Sequence, residues 1–186
     1  RKKRLGRSVE DIVWELLPVE RLGFIDVRSL VKVGDFDEAL KLLEGTPYDK
    51  ARFKGENLLL LEASLRNLYY KMVLKEMTKI PEEDRKDVAR LIGMEIDLFN
   101  CHVSGLSLLY GYEPAFVEEL IIDNPLGASK ERFLKLIKSG RFEDLLMEFP
   151  KYKRFLEAVM RGEGWRADVE AFRIVKKFTN SLKIKN

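Results

Sequence analysis

The sequence predicts an all-α protein, a multi-helical bundle of antiparallel hairpins with an internally duplicated helical unit. Three observations lead there. Apolar residues recur at three- and four-residue steps through most of the 186 positions, and no segment shows convincing strand-like alternation. Capping residues precede these stretches, and Gly or Pro follows them. One eleven-residue segment also recurs 106 residues further along the chain.

In chain order, Ser8-Val9-Glu10-Asp11 reads as an N-cap with acids in the first turn, opening a helix through Leu17 that Pro18 stops. Asp26 can cap a helix carrying Val27, Leu30 and Val31. Gly34 breaks it, Asp35 starts the next, and Gly45 and Pro47 end that one. From Asn57 to Met77 the residues Leu58, Leu61, Leu65, Leu68 and Met72 form a stripe that predicts one core-facing side. Pro81, with Glu82, Glu83 and Asp84, opens the longest helix, through Val88, Leu91, Ile92, Ile96, Phe99 and Val103 to Leu109 before Gly111. Pro114 begins a short helix to Ile122. Asn124-Pro125 and Gly127 form a loop, Ser129 caps another helix, Gly140 interrupts it, and helices follow around 141–148, 151–161 and 166–183.

The repeat lays Leu30-Val31-Lys32-Val33-Gly34-Asp35-Phe36-Asp37-Glu38-Ala39-Leu40 against Leu136-Ile137-Lys138-Ser139-Gly140-Arg141-Phe142-Glu143-Asp144-Leu145-Leu146. Pro47-Tyr48 is echoed by Pro150-Lys151-Tyr152, and Leu61-Glu62-Ala63 by Val169-Glu170-Ala171. Ordered matches with little drift predict one unit over 1–110 and a related unit over 111–186. The second unit ends before any counterpart of Pro81 to Leu109. The chain also opens on Arg1-Lys2-Lys3-Arg4 without Met, so it is expected to derive from a longer gene product.

Composition narrows the function. Cys101 is the only cysteine, which excludes an intramolecular disulfide and a cysteine-built zinc site within one chain, and favours a reducing interior. No apolar run approaches the ~20 residues of a membrane span. A cytoplasmic chain, peripheral to a membrane at most, is expected. Thirty-four Lys and Arg against 31 Asp and Glu leave a net charge of +3, without the basic stripe of a nucleic-acid binder. The glycines match neither phosphate-loop nor dinucleotide spacing, so no cofactor is expected. The absence of glutamine beside 35% charged residues resembles hyperthermophile usage.

The run Asp35 to Tyr48, ending Leu-Leu-Glu-Gly-Thr-Pro-Tyr, resembles a hallmark of the C subunit of archaeal A-type and V-type rotary ATPases, whose eukaryotic equivalent is the d subunit. Glu95-Ile96-Asp97-Leu98-Phe99-Asn100 is similar to that family's acidic-x-x-Asn helix. Gly111 to Pro114, Val117 to Ile121 and the turn near Gly127 follow in the family's order. The resemblance, over roughly residues 20 to 175, implies a non-catalytic central-stalk adaptor between the rotor axle subunits and the membrane proteolipid ring. That machine transports protons or sodium ions. The family commonly carries three such units, so the resemblance is to a divergent or shortened member.

Five family-motif residues are candidates for a structural role: Pro47, Tyr48, Glu95, Asp97 and Asn100. Asp97 and Asn100 share a helix face, either solvated or buried in a polar cluster against a neighbouring helix. Glu62 and Glu170 admit the same two readings. No catalytic or metal-binding residue is expected. His102, the only histidine, adjoins Cys101, but neighbours on a helix point about 100° apart and do not face each other. An active site would need Glu95, Asp97 and His102 gathered in a deep pocket. Trp14, Tyr69, Tyr70 and Trp165 are expected in the core, and loops 45–56, 111–115 and 123–129 at partner surfaces. The alternative function is a helical-repeat scaffold for protein–protein interaction, unrelated to an ATPase.

Overall fold

The computed structural model describes Ser8, residues 27–50 and residues 58–183. Among these residues there are nine α-helices, one 3-10 turn and no strand, so the fold is an all-α bundle. The helix expected from Ser8 to Leu17, and Trp14 within it, lie outside the described residues beyond Ser8 itself. The chain divides into two compact units, 1–69 and 70–186.

In the first unit, α1 (Val27–Lys32) and α2 (Phe36–Lys41) flank Gly34. Asp35 caps α2 as its sequence predicts, its Oδ1 accepting from the Glu38 amide at 2.8 Å. Glu38 answers by accepting from the Gly34 amide at 2.8 Å, a close variant of the reciprocal capping box. The chain then turns through Gly45, whose φ of 72° suits glycine.

Helix α3 (Leu58–Met77) forms where its periodicity predicts. Among its described side chains, which do not include Leu58, the buried ones are Leu60, Ala63, Tyr70 and Met77, while Leu61, Leu65, Leu68 and Met72 are half-buried. Leucine stands on several sides of this helix, so the pattern does not select one face. Tyr69 is exposed and Tyr70 buried, because neighbouring positions on a helix cannot both face inward.

The second unit is built around α4 (Glu82–Tyr110), 29 residues long. Pro81 precedes it with φ −50°, and Glu82, Glu83 and Asp84 occupy the first turn, where the helix dipole favours acids. The Arg85 guanidinium donates to the carbonyls of Thr78 and Ile80, closing the preceding turn. Gly111, at φ 65°, stops α4 in a left-handed cap.

Five further helices pack onto α4: α5 (Pro114–Leu120), α6 (Lys130–Ser139), α7 (Phe142–Glu148), α8 (Lys153–Met160) and α9 (Gly164–Lys183). A 3-10 turn over Pro150–Tyr152 leads into α8, and α8 and α9 form a hairpin through Gly162. Surrounded in this way, every residue from Ile96 to Cys101 is buried. Around α4 the core gathers Val117, Ile121, Phe133, Leu145 and Leu156, with the rings of Phe133 and Phe149 stacked 4.9 Å apart. Each such side chain stabilises the unit by about 1.5–3 kcal/mol through loss of water-exposed apolar area.

The helix–glycine–helix order of α1 and α2 around Gly34 recurs in α6 and α7 around Gly140. Pro-Tyr segments follow both pairs, and a long helix follows each segment, although α8 intervenes before α9.

Candidate functional site

Along the middle of α4, Asp97, Asn100, Ser104 and Ser107 recur at three- and four-residue steps, which puts them on one helix face. On a surface helix this would be the solvated side. Here all four are buried. Asp97 and Asn100 therefore belong to a buried cluster, and what they hold is the segment 121–128 between α5 and α6.

Asn100 bonds both backbone groups of one residue. Its Nδ2 donates to the Ile122 carbonyl at 2.7 Å, and its Oδ1 accepts from the Ile122 amide at 2.9 Å. This mimics one rung of a β-ladder. Ile122 needs it: its side chain is in the core beside Ile121, so its backbone is drawn away from water.

Asn124 makes the next link. Its Nδ2 donates to the Gly93 carbonyl at 2.8 Å and to Asp97 Oδ1 at 2.7 Å, while its Oδ1 accepts from the Leu126 amide at 3.1 Å. The Ala128 amide also donates to Asp97 Oδ1, at 3.0 Å. The other Asp97 oxygen faces Lys151 Nζ at 3.7 Å, and that ammonium lies 4.5 Å from the centre of the Tyr152 ring. Lys151 is largely exposed, so its ion pair is a water-screened closure on one side of a buried carboxylate.

The segment approaches α4 so closely that two glycines are required. A Cβ on Gly127 would stand 2.3 Å from Asn124 Nδ2 and 2.7 Å from Asp97 Oδ1. A Cβ on Gly93 would stand 2.8 Å from the Leu126 carbonyl oxygen.

Two groups beneath the cluster are held in their neutral forms. Burial, reinforced by the negative charge of Asp97, pushes the Cys101 thiol well above its ordinary range, and Lys151 offsets this only in part. The Tyr152 phenol is raised for the same first reason, burial, and then by Asp97. Its hydroxyl lies beside that carboxylate but completes no hydrogen bond with any described group, and the Ser104 hydroxyl is in the same condition.

A buried, protonated thiol is a poor nucleophile. His102 is half-buried, with its ring edge-on to Phe155 at 6.1 Å. Glu95 is half-buried on α4. Neither the groove of about 370 Å3 between α8 and α9 nor the depression of about 330 Å3 beside Gly111 is lined by Glu95, Asp97 or His102. Among the described residues no three His, Cys, Asp or Glu side chains converge as metal ligands would. The arrangement can bind backbone and fix a loop.

The remaining motif residues belong to the first unit. Pro47 and Tyr48 are half-buried in the turn after α2, where Thr46 Oγ1 donates to the Leu43 carbonyl at 2.6 Å and accepts from the Tyr48 amide at 3.1 Å. The Tyr48 hydroxyl is raised from its ordinary pKa by burial, then by Tyr69. Glu62 pairs with Arg66 at 3.1 Å, and Glu170 pairs with Arg173, both within one or two turns of their own helix. Trp165, expected in the core, is 68% exposed: α9 turns Ala167 inward, and Trp165 stands on another side beneath the Arg166 guanidinium.

Sequence reading passed over Asn124, Ala128, Lys151 and Tyr152 as members of the cluster. The signal for Asn124 is its place before Pro125 and three residues before Gly127, a turn that needs an internal acceptor.

The sequence matches the ATP synthase (C/AC39) subunit family over residues 1–182. Among curated proteins it is similar to the C subunit of the A-type ATP synthase of Methanosarcina acetivorans, 26% identical over 172 residues. Those residues are 90% of this chain and 43% of that protein. The proteins of the same name from Methanosarcina mazei and Methanococcoides burtonii are 24% identical over 170 residues and 27% over 159, covering 90% and 82% of this chain and 43% of each relative. The chain thus spans less than half the length of the curated relatives it matches. No solved structure matches it. Because the family match runs through nearly every residue, including the helix that carries Asp97 and Asn100, this chain belongs to the ATP synthase (C/AC39) subunit family.

Proposed function

We propose that this chain is a non-catalytic coupling element of a rotary ATPase, placed in the central stalk between the axle subunits and the membrane proteolipid ring. It would serve a machine that moves protons or sodium ions, from the cytoplasmic side of the membrane. No described helix is long and apolar enough to cross a bilayer, which fits a peripheral position. The observation that carries the reading is the family match over residues 1–182, read together with the clamp on α4.

A coupler must resist twisting, because a compliant one absorbs the work it should pass on. In the second unit, one 29-residue helix is packed by five others, and the one long irregular segment against it is cross-linked by side-chain hydrogen bonds. Asp97 and Asn100 are then positioning residues for that segment. Glu95, Pro47 and Tyr48 are assigned supporting roles in the helices and turns that carry them. The recurring helix–glycine–helix order around Gly34 and Gly140 supports one module used twice, over 26–77 and 132–183, and contacts are assigned to loops 45–56, 111–115 and 123–129.

The test is recovery of the full gene product, affinity-tagged, from detergent-solubilised membranes of its own host. Axle and proteolipid subunits in stoichiometric yield are the expected result. Recovery with soluble factors alone would replace the motor reading with that of a helical scaffold.

A further inference from the structure

We propose that the groove between α8 and α9 is a docking site for an acidic amphipathic helix of another protein, one that presents an apolar ridge flanked by carboxylates seven residues apart. The inference goes beyond the coupling role and does not rest on it.

Three apolar residues line the groove among its charged ones. Ala158 lies at its base, and Trp165 and Val169 stand above it, 68% and 39% exposed. Trp165, Val169 and Phe172 follow one another at steps of four and three residues, forming a second apolar side of α9 besides the one that Ala167 buries. A soluble helix with one buried stripe has no need of such a side. Contiguous exposed apolar residues rimmed by charge mark interaction surfaces, and Trp and Arg dominate the binding energy of such surfaces.

Charge decides what the groove accepts. Its rim carries both signs, but the three acids are already paired: Glu157 with Lys153 at 4.0 Å, Glu163 with Arg166 at 3.0 Å, and Glu170 with Arg173. Two cations are left. Among the described residues Arg154 and Arg161 have no ion pair, and both are exposed on the α8 wall. Seven residues apart, they stand on one side of α8 and its C-terminal turn, separated by about 10 Å at the helical rise. A facing helix with carboxylates at i and i+7 meets both in bidentate geometry while its apolar ridge covers Trp165 and Val169.

The probes are three synthetic helical peptides that share a leucine ridge and carry Glu, Gln or Lys at two flanking positions seven residues apart. Binding to the full chain is followed by fluorescence anisotropy of a dye on each peptide. The Glu peptide should bind at least tenfold more tightly than the Gln peptide, and the advantage should shrink as salt rises. The double substitution Arg154→Glu with Arg161→Glu should reverse the order, favouring the Lys peptide. Because both side chains are exposed, the circular dichroism melt should match that of the parent; if it does not, the neutral Arg154→Gln and Arg161→Gln variants carry the test and should level the Glu and Gln peptides. Trp165→Ala should weaken all three peptides alike. Equal binding of the Glu and Gln peptides to the parent overturns the proposal. So does Arg-dependent binding to phosphatidylglycerol vesicles without discrimination among peptides, which would make the groove a membrane-facing surface.

Discussion

Replacing Asn100 with Ala is the sharpest test of the buried cluster. The asparagine is fully buried, and both of its bonds go to Ile122, itself 2% exposed. Truncation therefore strands one amide and one carbonyl in the interior. Each unsatisfied buried group costs about 1–3 kcal/mol. Partial relaxation of segment 121–128 toward water recovers some of this, at the expense of the packing of Ile121 and Ile122. We expect a net destabilisation of about 3 kcal/mol, a large fraction of the stability of an ordinary domain. In guanidinium denaturation followed by circular dichroism, the midpoint should fall with little change in slope, because the surface exposed on unfolding is nearly the same. In a thermal scan the same loss should lower Tm by about 6–12 °C for a chain of this length. Asn100→Asp should also destabilise, since a carboxylate can accept from the Ile122 amide but cannot donate to its carbonyl. Exposed Asn180→Ala is the control, expected within about 0.5 kcal/mol of the parent. A shift that small for Asn100→Ala would refute the claim that this side chain satisfies Ile122.

Two further outcomes follow from the same contacts. Gly127→Ala should cost about 1–3 kcal/mol, because its Cβ would fall 2.3 Å from Asn124 Nδ2 and the segment must shift off Asp97; the same denaturation series measures it. Cys101 should resist thiol reagents at pH 8 in the folded chain and react on unfolding. Its folded pKa lies above the unfolded value, so its stabilising contribution is complete below about pH 8 and is lost as the pH climbs toward the raised folded value. Cys101→Ala should flatten that alkaline decline by up to about 1.4 kcal/mol per pH unit, and an unchanged pH profile would count against a buried, protonated thiol.

Much of the secondary structure was legible because its signals are local. Asp35 and Ser129 cap the helices that follow them, Pro81 precedes the longest helix, and Gly111 and Gly140 end theirs in left-handed turns. Each is decided by groups within a few residues of one another. The apolar faces were less legible. In α3 leucines surround the axis, and the buried set proved to be Leu60, Ala63, Tyr70 and Met77. Trp165 misled for a related reason: size and hydropathy favour the core, but only the direction of the helix face decides it. The candidate site was half legible. Asp97 and Asn100 were identified, and their polar stripe continues through Ser104 and Ser107 inside an otherwise apolar helix. Their hydrogen-bond partners lie 22 to 31 residues away, and no local rule reports where a chain will double back.

Why α4 keeps polar residues on a buried face follows from accounting for backbone groups. Beyond the Ile121 amide, which donates to the Val117 carbonyl at 3.0 Å, segment 121–128 has neither helix nor strand to satisfy its backbone, yet Ile121 and Ile122 draw its first residues into the core. An apolar face on α4 would leave those groups stranded. The side chains at 97 and 100, with Asn124, supply the missing donors and acceptors: the Ile122 amide and carbonyl and the amides of Leu126 and Ala128 all find partners. Directional bonds of this kind impose something that apolar packing does not. A greasy segment can slide along a greasy helix in small steps of nearly equal energy, whereas a one-residue slip here breaks every bond to α4 at once. The segment is thus held in a single register on the longest helix. The proposed coupling role would require that property, and here hydrogen bonds provide the fixed register without additional hydrophobic area.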